Sequence, residues 1–172
     1  MNKKLKDGFF ITTVKDHTQI KNDVMSSIDS MGVHNIIETG QRLLNTDWHL
    51  RSDLPRPYWQ YTARVVEEHL LSFKEAMGYV EDVLAISFWF QQYGQEDFHA
   101  WHTHSRCNFS SVYYVDLPNG ASNTSFRIQG QEFEVHVSEG QILTFPSFYS
   151  HCSKPNQHGV KTSIAFNSVF NN

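Results

Sequence analysis

Beyond Gly78 the sequence breaks into short β-rich runs, "VLAISFWFQQY", "FSSVYYVDL", "NTSFRI", "EFEVHV", "QILTFP" and "KTSIAFNSVF", separated by Gly, Pro and Asn signals. Strands this short must pair into sheets to satisfy their backbone groups, so the second half of the chain reads as all-β. The first half differs. "FFITTV" at 9–14 reads as a strand, and Asp16 then stands where it can cap a helix with apolar positions at Ile20, Val24, Ile28 and Met31, closed by Gly32. A second helix is predicted from Tyr58 to Met77, with Tyr61, Val65, Leu70, Phe73 and Met77 on its apolar side and Gly78 at its end. Between the two, "NTDWHLRSDLPRPYW" carries two prolines and mixed charges, and residues 34–57 read as a long loop.

Helices segregated ahead of strands predict an α+β, mainly β fold rather than an alternating one: a double-stranded β-helix (jelly-roll) core with two N-terminal supporting helices. The 172 residues suit a single domain, with 1–80 mostly helical support and 81–172 the jelly roll; thirteen Phe, seven Tyr and four Trp can fill one core. A net charge of −4 weighs against a nucleic-acid partner. No run reaches membrane-spanning length, and "MNKKLKDGFF" lacks the apolar core of a signal peptide, so a cytoplasmic setting without membrane contact is expected. Cys107 and Cys152 have no CxxC spacing and read as two unbridged thiols.

Chemistry concentrates around "HAWHTH" at 99–104. In extended backbone His102 and His104 point to the same side, and a jelly roll can bring His151, which follows "FPSFY", opposite them. Three neutral imidazoles with open positions suit a divalent iron, copper or zinc ion. Lys161 and Ser163 share a face of "KTSIAFN" and together suit a carboxylate, to which the Tyr93 phenol could also donate. Of Tyr113 and Tyr114, only one can point inward. His99 falls on the opposite face of a regular strand from His102, so a bulge would be needed to bring it to the same metal; it reads as a supporting or substrate-facing group. His17, His34, His49, His69, His136 and His158 have no partners at recognisable spacing and read as surface residues.

Taken in order, "WHTHSRCNFSSVYYVDLP", "GQILTFPSFYSH" and "KTSIAFN" make the stretch from Val83 to Phe170 resemble the Fe(II)- and 2-oxoglutarate-dependent oxygenases. The resemblance is to the prolyl-hydroxylase-like branch, with its small members in marine bacteria and phages, and so extends to a phage-encoded protein acting in a bacterial host. It implies Fe(II) as cofactor with 2-oxoglutarate and O2 as cosubstrates. His102 and His151 would then be iron ligands, and Lys161, with Ser163 beside it, would bind the far carboxylate of 2-oxoglutarate. Tyr93 would approach the cosubstrate, and Tyr114 and Asn167 would line the same pocket. The implied reaction couples oxidative decarboxylation of 2-oxoglutarate to succinate with hydroxylation of a C–H bond, on a protein or peptide substrate. The departure is His104, where the family triad carries Asp or Glu. The H-x-H of this branch keeps His104 as third ligand, with Asp116 the fallback carboxylate. Two other readings stay open: a three-histidine cupin-type dioxygenase without 2-oxoglutarate, in which Lys161 has no obvious task, and a non-catalytic jelly-roll binding module.

Overall fold

Thirteen strands and two α-helices are arranged in a computed structural model that describes residues 2–32, 34–51 and 53–171. In chain order the elements are β1 (Lys3–Lys4), β2 (Phe10–Thr13), α1 (His17–Ser30), β3 (Ile36–Glu38), β4 (Gln41–Leu43), β5 (Asn45–Thr46) and α2 (Trp59–Met77). There follow β6 (Asp82–Tyr93), β7 (Phe98–His102), β8 (Phe109–Asp116), β9 (Thr124–Ile128), β10 (Gln131–Glu134), β11 (Gln141–Pro146), β12 (Ser150–Ser153) and β13 (Lys161–Asn171). They form a seven-stranded sheet ordered β1-β2-β11-β8-β13-β6-β5 and a six-stranded sheet ordered β10-β9-β12-β7-β4-β3. Every pairing is antiparallel. This is the jelly roll expected from the sequence, with both helices against the larger sheet.

The period-two alternation of the strands divides the interior into two layers. On the helix side, Phe10, Tyr113, Ile142, Ile164 and Phe166 of the large sheet pack against Val24, Ile28, Val66, Leu70 and Phe73 of the helices. Between the sheets, Ile11, Tyr114, Leu143 and Phe145 meet Phe126, Val135 and Val137. Each of these large side chains contributes about 1.5–3 kcal/mol by leaving water. In β13, Ile164 and Phe166 belong to the helix-side layer, while Lys161, Ser163, Ala165 and Asn167 face a pocket between the sheets. That alternation puts polar groups into an otherwise apolar barrel.

Several local expectations change. Asp16 precedes α1 but sits in the left-handed region (φ 54°) and makes no side-chain cap; its carbonyl instead accepts from Gln19 and Ile20. The buried stripe of α2 runs through Thr62, Val66, His69, Leu70 and Phe73, whereas Tyr61 is exposed. A helix surface holds more than one candidate stripe, and contact with the sheet selects among them. The segment 34–57 is not all loop: β4 joins the smaller sheet between β7 and β3, and β3 and β5 form the outer edges of the two sheets, where mixed polarity is tolerated because only one side of an edge strand is paired. His69 is a core residue rather than a surface one. It is hydrogen-bonded at Nδ1 to Thr12 Oγ1 (2.7 Å) and at Nε2 to Thr144 Oγ1 (2.6 Å), and burial pulls its pKa down to about 3. His17 is half-buried, with Nδ1 at 2.8 Å from the Tyr113 hydroxyl. His34, His49, His136 and His158 are exposed. Among the described residues no helix is long and apolar enough to cross a membrane.

Candidate functional site

The two sheets hold the histidines from facing and neighbouring segments. His102 ends β7 and pairs in register with His151 of β12. The strand stops at His102, so His104 lies in the loop beyond it, and hydrogen bonds to the β11–β12 turn hold it in place. The His104 N–H donates to Ser147 O (3.0 Å), Ser147 N–H to Asn108 O (3.0 Å), and the Ser147 hydroxyl to Cys107 O (2.6 Å). The ligand atoms of His102, His104 and His151 all fall within 4.8 Å of one another. The ring centroids are 4.2 Å apart for His102 and His151, and 5.1 Å apart for each of these with His104.

The hydrogen bonds fix the chemistry of two of these rings. His102 Nδ1 lies 2.7 Å from Ala100 O, and His151 Nδ1 lies 2.9 Å from Tyr149 O. A carbonyl can only accept, so each Nδ1 carries its proton, and the lone pair of Nε2 is left for another partner. Burial lowers the pKa of all three imidazoles, to about 4 for His104 and about 3 for His151, which keeps them neutral at ordinary pH. Neutral, oriented and convergent imidazoles are what a divalent ion requires of its ligands. The three residues therefore fit a metal of the iron, copper or zinc type.

His99 joins them despite its odd spacing. His151 pairs with His102 but Ser153 pairs with His99, so β7 carries a bulge between those positions. The bulge turns His99 to the pocket side, where its ring stacks on His102 at 3.9 Å and its Nδ1 lies 3.5 Å from Gln91 Nε2. Asp116, the fallback ligand, is elsewhere: the register of β8 against β13 shifts between Tyr114 and Asp116, so Asp116 leaves the inward face that Tyr114 occupies and pairs with Lys21 of α1 at 2.8 Å.

Lys161 lies at the other end of the same pocket, almost fully buried at 3% exposure. Its ammonium donates to Ser153 Oγ (2.6 Å), Ser122 O (3.1 Å) and Ser122 Oγ (3.4 Å), and stands 4.2 Å from the Tyr93 ring centroid. All of these partners are neutral. Burial pulls the Lys161 pKa down to about 7. Tyr93 is its cross-strand neighbour, and the Tyr93 hydroxyl donates to Gln91 Oε1 at 3.1 Å. Ser163 lines the pocket beside Lys161; Tyr114, at 2.7 Å from Thr124 Oγ1, faces inward while Tyr113 faces the helices; and Asn167 Oδ1 accepts from Ser110 at 2.9 Å. Every site residue expected from the sequence thus lines one pocket. No Asp or Glu is among the described residues that line it.

Ser153 and Ser122 were not anticipated. Ser153 was legible in principle, since it stands two residues after His151 and shares its face of β12. Ser122 sits in a connection whose path no local pattern dictates. Cys107 and Cys152 are both free thiols.

No family model matches the sequence, and no curated protein sequence matches it either. Solved structures do match. A prolyl-4-hydroxylase of Pseudomonas putida superimposes with a TM-score of 0.69 at 16% identity, over 97% of this chain and 95% of that one. A viral collagen prolyl hydroxylase of Paramecium bursaria Chlorella virus-1, determined as its 2OG complex, gives 0.66 at 11% identity over 95% and 97%. AviO1 of Streptomyces viridochromogenes gives 0.71 at 14% identity over 95% and 90%. At such identities the likeness is one of fold. The chain has the double-stranded β-helix fold of the prolyl hydroxylases and 2OG-Fe(II) oxygenases.

Proposed function

We propose that the protein is an Fe(II)- and 2-oxoglutarate-dependent oxygenase that couples conversion of 2-oxoglutarate to succinate with hydroxylation of a C–H bond. One observation carries the reading: a buried lysine whose hydrogen-bond partners are serine oxygens shares a pocket with three convergent imidazoles, and among the described residues no acidic side chain lines that pocket. A divalent ion on His102, His104 and His151 and an ammonium on Lys161 would together leave the pocket strongly positive. An anion with carboxylates at both ends balances that charge, and 2-oxoglutarate is such a molecule.

In this assignment Lys161 holds the distal carboxylate, with Ser163 at its side. The Tyr93 ring lies against the ammonium and limits the space around it. Lysine offers a compact charge in place of an arginine fork, so Ser153 and Ser122, which already fix the ammonium, supply the orientation that a fork would have built in. Tyr114 and Asn167 line the pocket, and the Trp89 ring lies 5.9 Å from that of His104. Iron(II) bound by the three histidines would supply the oxygen chemistry, activating O2 for the oxidation of both the keto acid and the substrate. With imidazole in place of a carboxylate, an ion held by these three residues would have no anionic ligand among them, and the keto acid would provide the negative charge nearest to it.

A protein or peptide substrate is favoured because two of the solved structures described above are prolyl hydroxylases. A three-histidine dioxygenase that works without 2-oxoglutarate would leave Lys161 with no task. Succinate formation from 2-oxoglutarate under O2, with Fe(II) supplied, tests the proposal. We expect succinate even without the primary substrate, at a slow uncoupled rate that Lys161→Ala removes. If the iron-loaded protein forms none with any candidate peptide, the assignment does not stand.

A further inference from the structure

We infer that the outer edge of β6 is a docking site for an extended polypeptide segment, which would add to the large sheet beside the mouth of the metal pocket. On one side β6 pairs with β13 from Asp82 to Tyr93; on the other it meets β5 only at Gln91 and Gln92. Phe90 is closed off by side chains, its N–H donating to Asp47 Oδ1 (2.8 Å) and its carbonyl accepting from Thr46 Oγ1 (2.6 Å). From Leu84 to Phe88, among the described residues, no strand covers that edge. An open edge presents backbone donors and acceptors, and proteins usually blunt it with proline or charge. Here residues 83–90 contain neither.

The apolar surface follows the same edge. Leu84, Ile86, Leu71 and Trp48 are exposed at 47%, 53%, 57% and 48%. Two clefts flank the strand. One, about 360 Å³, lies between α2 and β6; Val66, Leu70, Leu71, Leu84 and Ala85 form its apolar part, and Glu67 with the Lys74–Asp82 ion pair forms its polar part. The other, about 260 Å³, is lined by Trp48, Leu50, Ile86 and Trp89 together with Arg56, whose guanidinium stands 5.9 Å from the Phe88 ring centroid. The first belongs to the helix face of the sheet, and the second reaches Trp89, which also lines the metal pocket on the barrel face. The pairing of β6 with β13 skips Ile86, so this residue bulges and turns toward Trp48.

An added strand sends successive side chains to opposite faces, and those faces are where the two clefts lie. A small apolar molecule or lipid tail would fill a cleft but leave the backbone edge unpaired. A polypeptide satisfies both. Trp89 lines both the second cleft and the metal pocket, with its ring 5.9 Å from that of His104, so a docked segment would lie one side chain away from the metal site; the delivery of its neighbouring residues to the metal rests on the oxygenase reading, whereas the docking does not.

Short synthetic peptides of alternating Val and Thr with Lys at each end, and copies N-methylated at alternate residues, test the site by hydrogen exchange. We expect the unmethylated peptide to slow exchange across 84–88 and the methylated copy to leave it unchanged. Ile86→Lys and Leu71→Lys, both at exposed positions, should each weaken binding by roughly tenfold with unchanged circular dichroism. Protection elsewhere, no protection, or binding indifferent to both substitutions overturns the inference. So does protection of 84–88 that rises with protein concentration alone and accompanies a dimer mass, since the occupant would then be a second copy. The readout needs neither metal nor turnover, so a failure here and a failure of succinate formation are distinguishable.

Discussion

Lys161 is the residue on which burial and chemistry bear most directly. An ammonium at 3% exposure whose hydrogen bonds, among the described residues, go to serine oxygens is destabilised in its charged form by burial, which is why its pKa falls to about 7 from 10.5. A carboxylate that binds beside it must find it protonated. Below that pH the proton is already present; above it, binding must take one up, so affinity for 2-oxoglutarate should fall by up to about tenfold per pH unit until the raised pKa of the complex is reached. Calorimetry in buffers of different ionisation heat would register proton uptake at about pH 8 and little at about pH 6. Binding without proton uptake would mean that Lys161 does not meet the carboxylate. His104 carries the second residue-level prediction. His104→Ala should reduce Fe(II) affinity by more than the roughly 10–100-fold that loss of a mere supporting group costs, while His104→Asp should restore binding by returning an anionic ligand. Equilibrium dialysis under anaerobic conditions measures both, and an unchanged affinity in the alanine variant would remove His104 from the ligand set.

At the scale of elements, α2 is tied to the large sheet through a polar contact buried in an apolar layer. His69 joins Thr12 on β2 to Thr144 on β11, and Thr144 in turn contacts Ser111 on β8 at 2.6 Å. With a folded pKa of about 3 against 6.5 for the free side chain, the unfolded chain binds the extra proton between those values, so stability is lost as pH falls through that window. His69→Gln should cost about 1–3 kcal/mol near neutral pH and should flatten the acid-side decline relative to the parent. Urea unfolding at several pH values measures it, and parallel stability curves for the two proteins would contradict the assignment. His69 also marks where sequence reading stops. Its helix was legible from spacing, but which stripe of that helix is buried depends on the sheet it meets. The strand carrying Lys161 was legible because alternation and turn residues are local, whereas the short strands that carry His102 and His151 are not among the β-rich runs of the sequence and form by pairing with each other. The bulge that turns His99 inward, and the edge strands β3 to β5, are decided by partners distant in sequence. The same holds for Ser122 under the Lys161 ammonium.

For the molecule as a whole, two antiparallel sheets create a pocket whose described lining is basic and aromatic at its functional ends, with no carboxylate of its own. Metal and diacid should therefore assist each other's binding, each supplying charge that the other lacks, and linkage requires that the assistance be mutual. Anaerobic titration with Fe(II) and then 2-oxoglutarate tests this most directly. The predicted result is a weak visible charge-transfer band that develops only when both are present, with Lys161→Ala needing far more 2-oxoglutarate to reach the same intensity while its affinity for Fe(II) is nearly unchanged. No band at any 2-oxoglutarate concentration, or a Lys161→Ala titration that overlays the parent, would contradict the account.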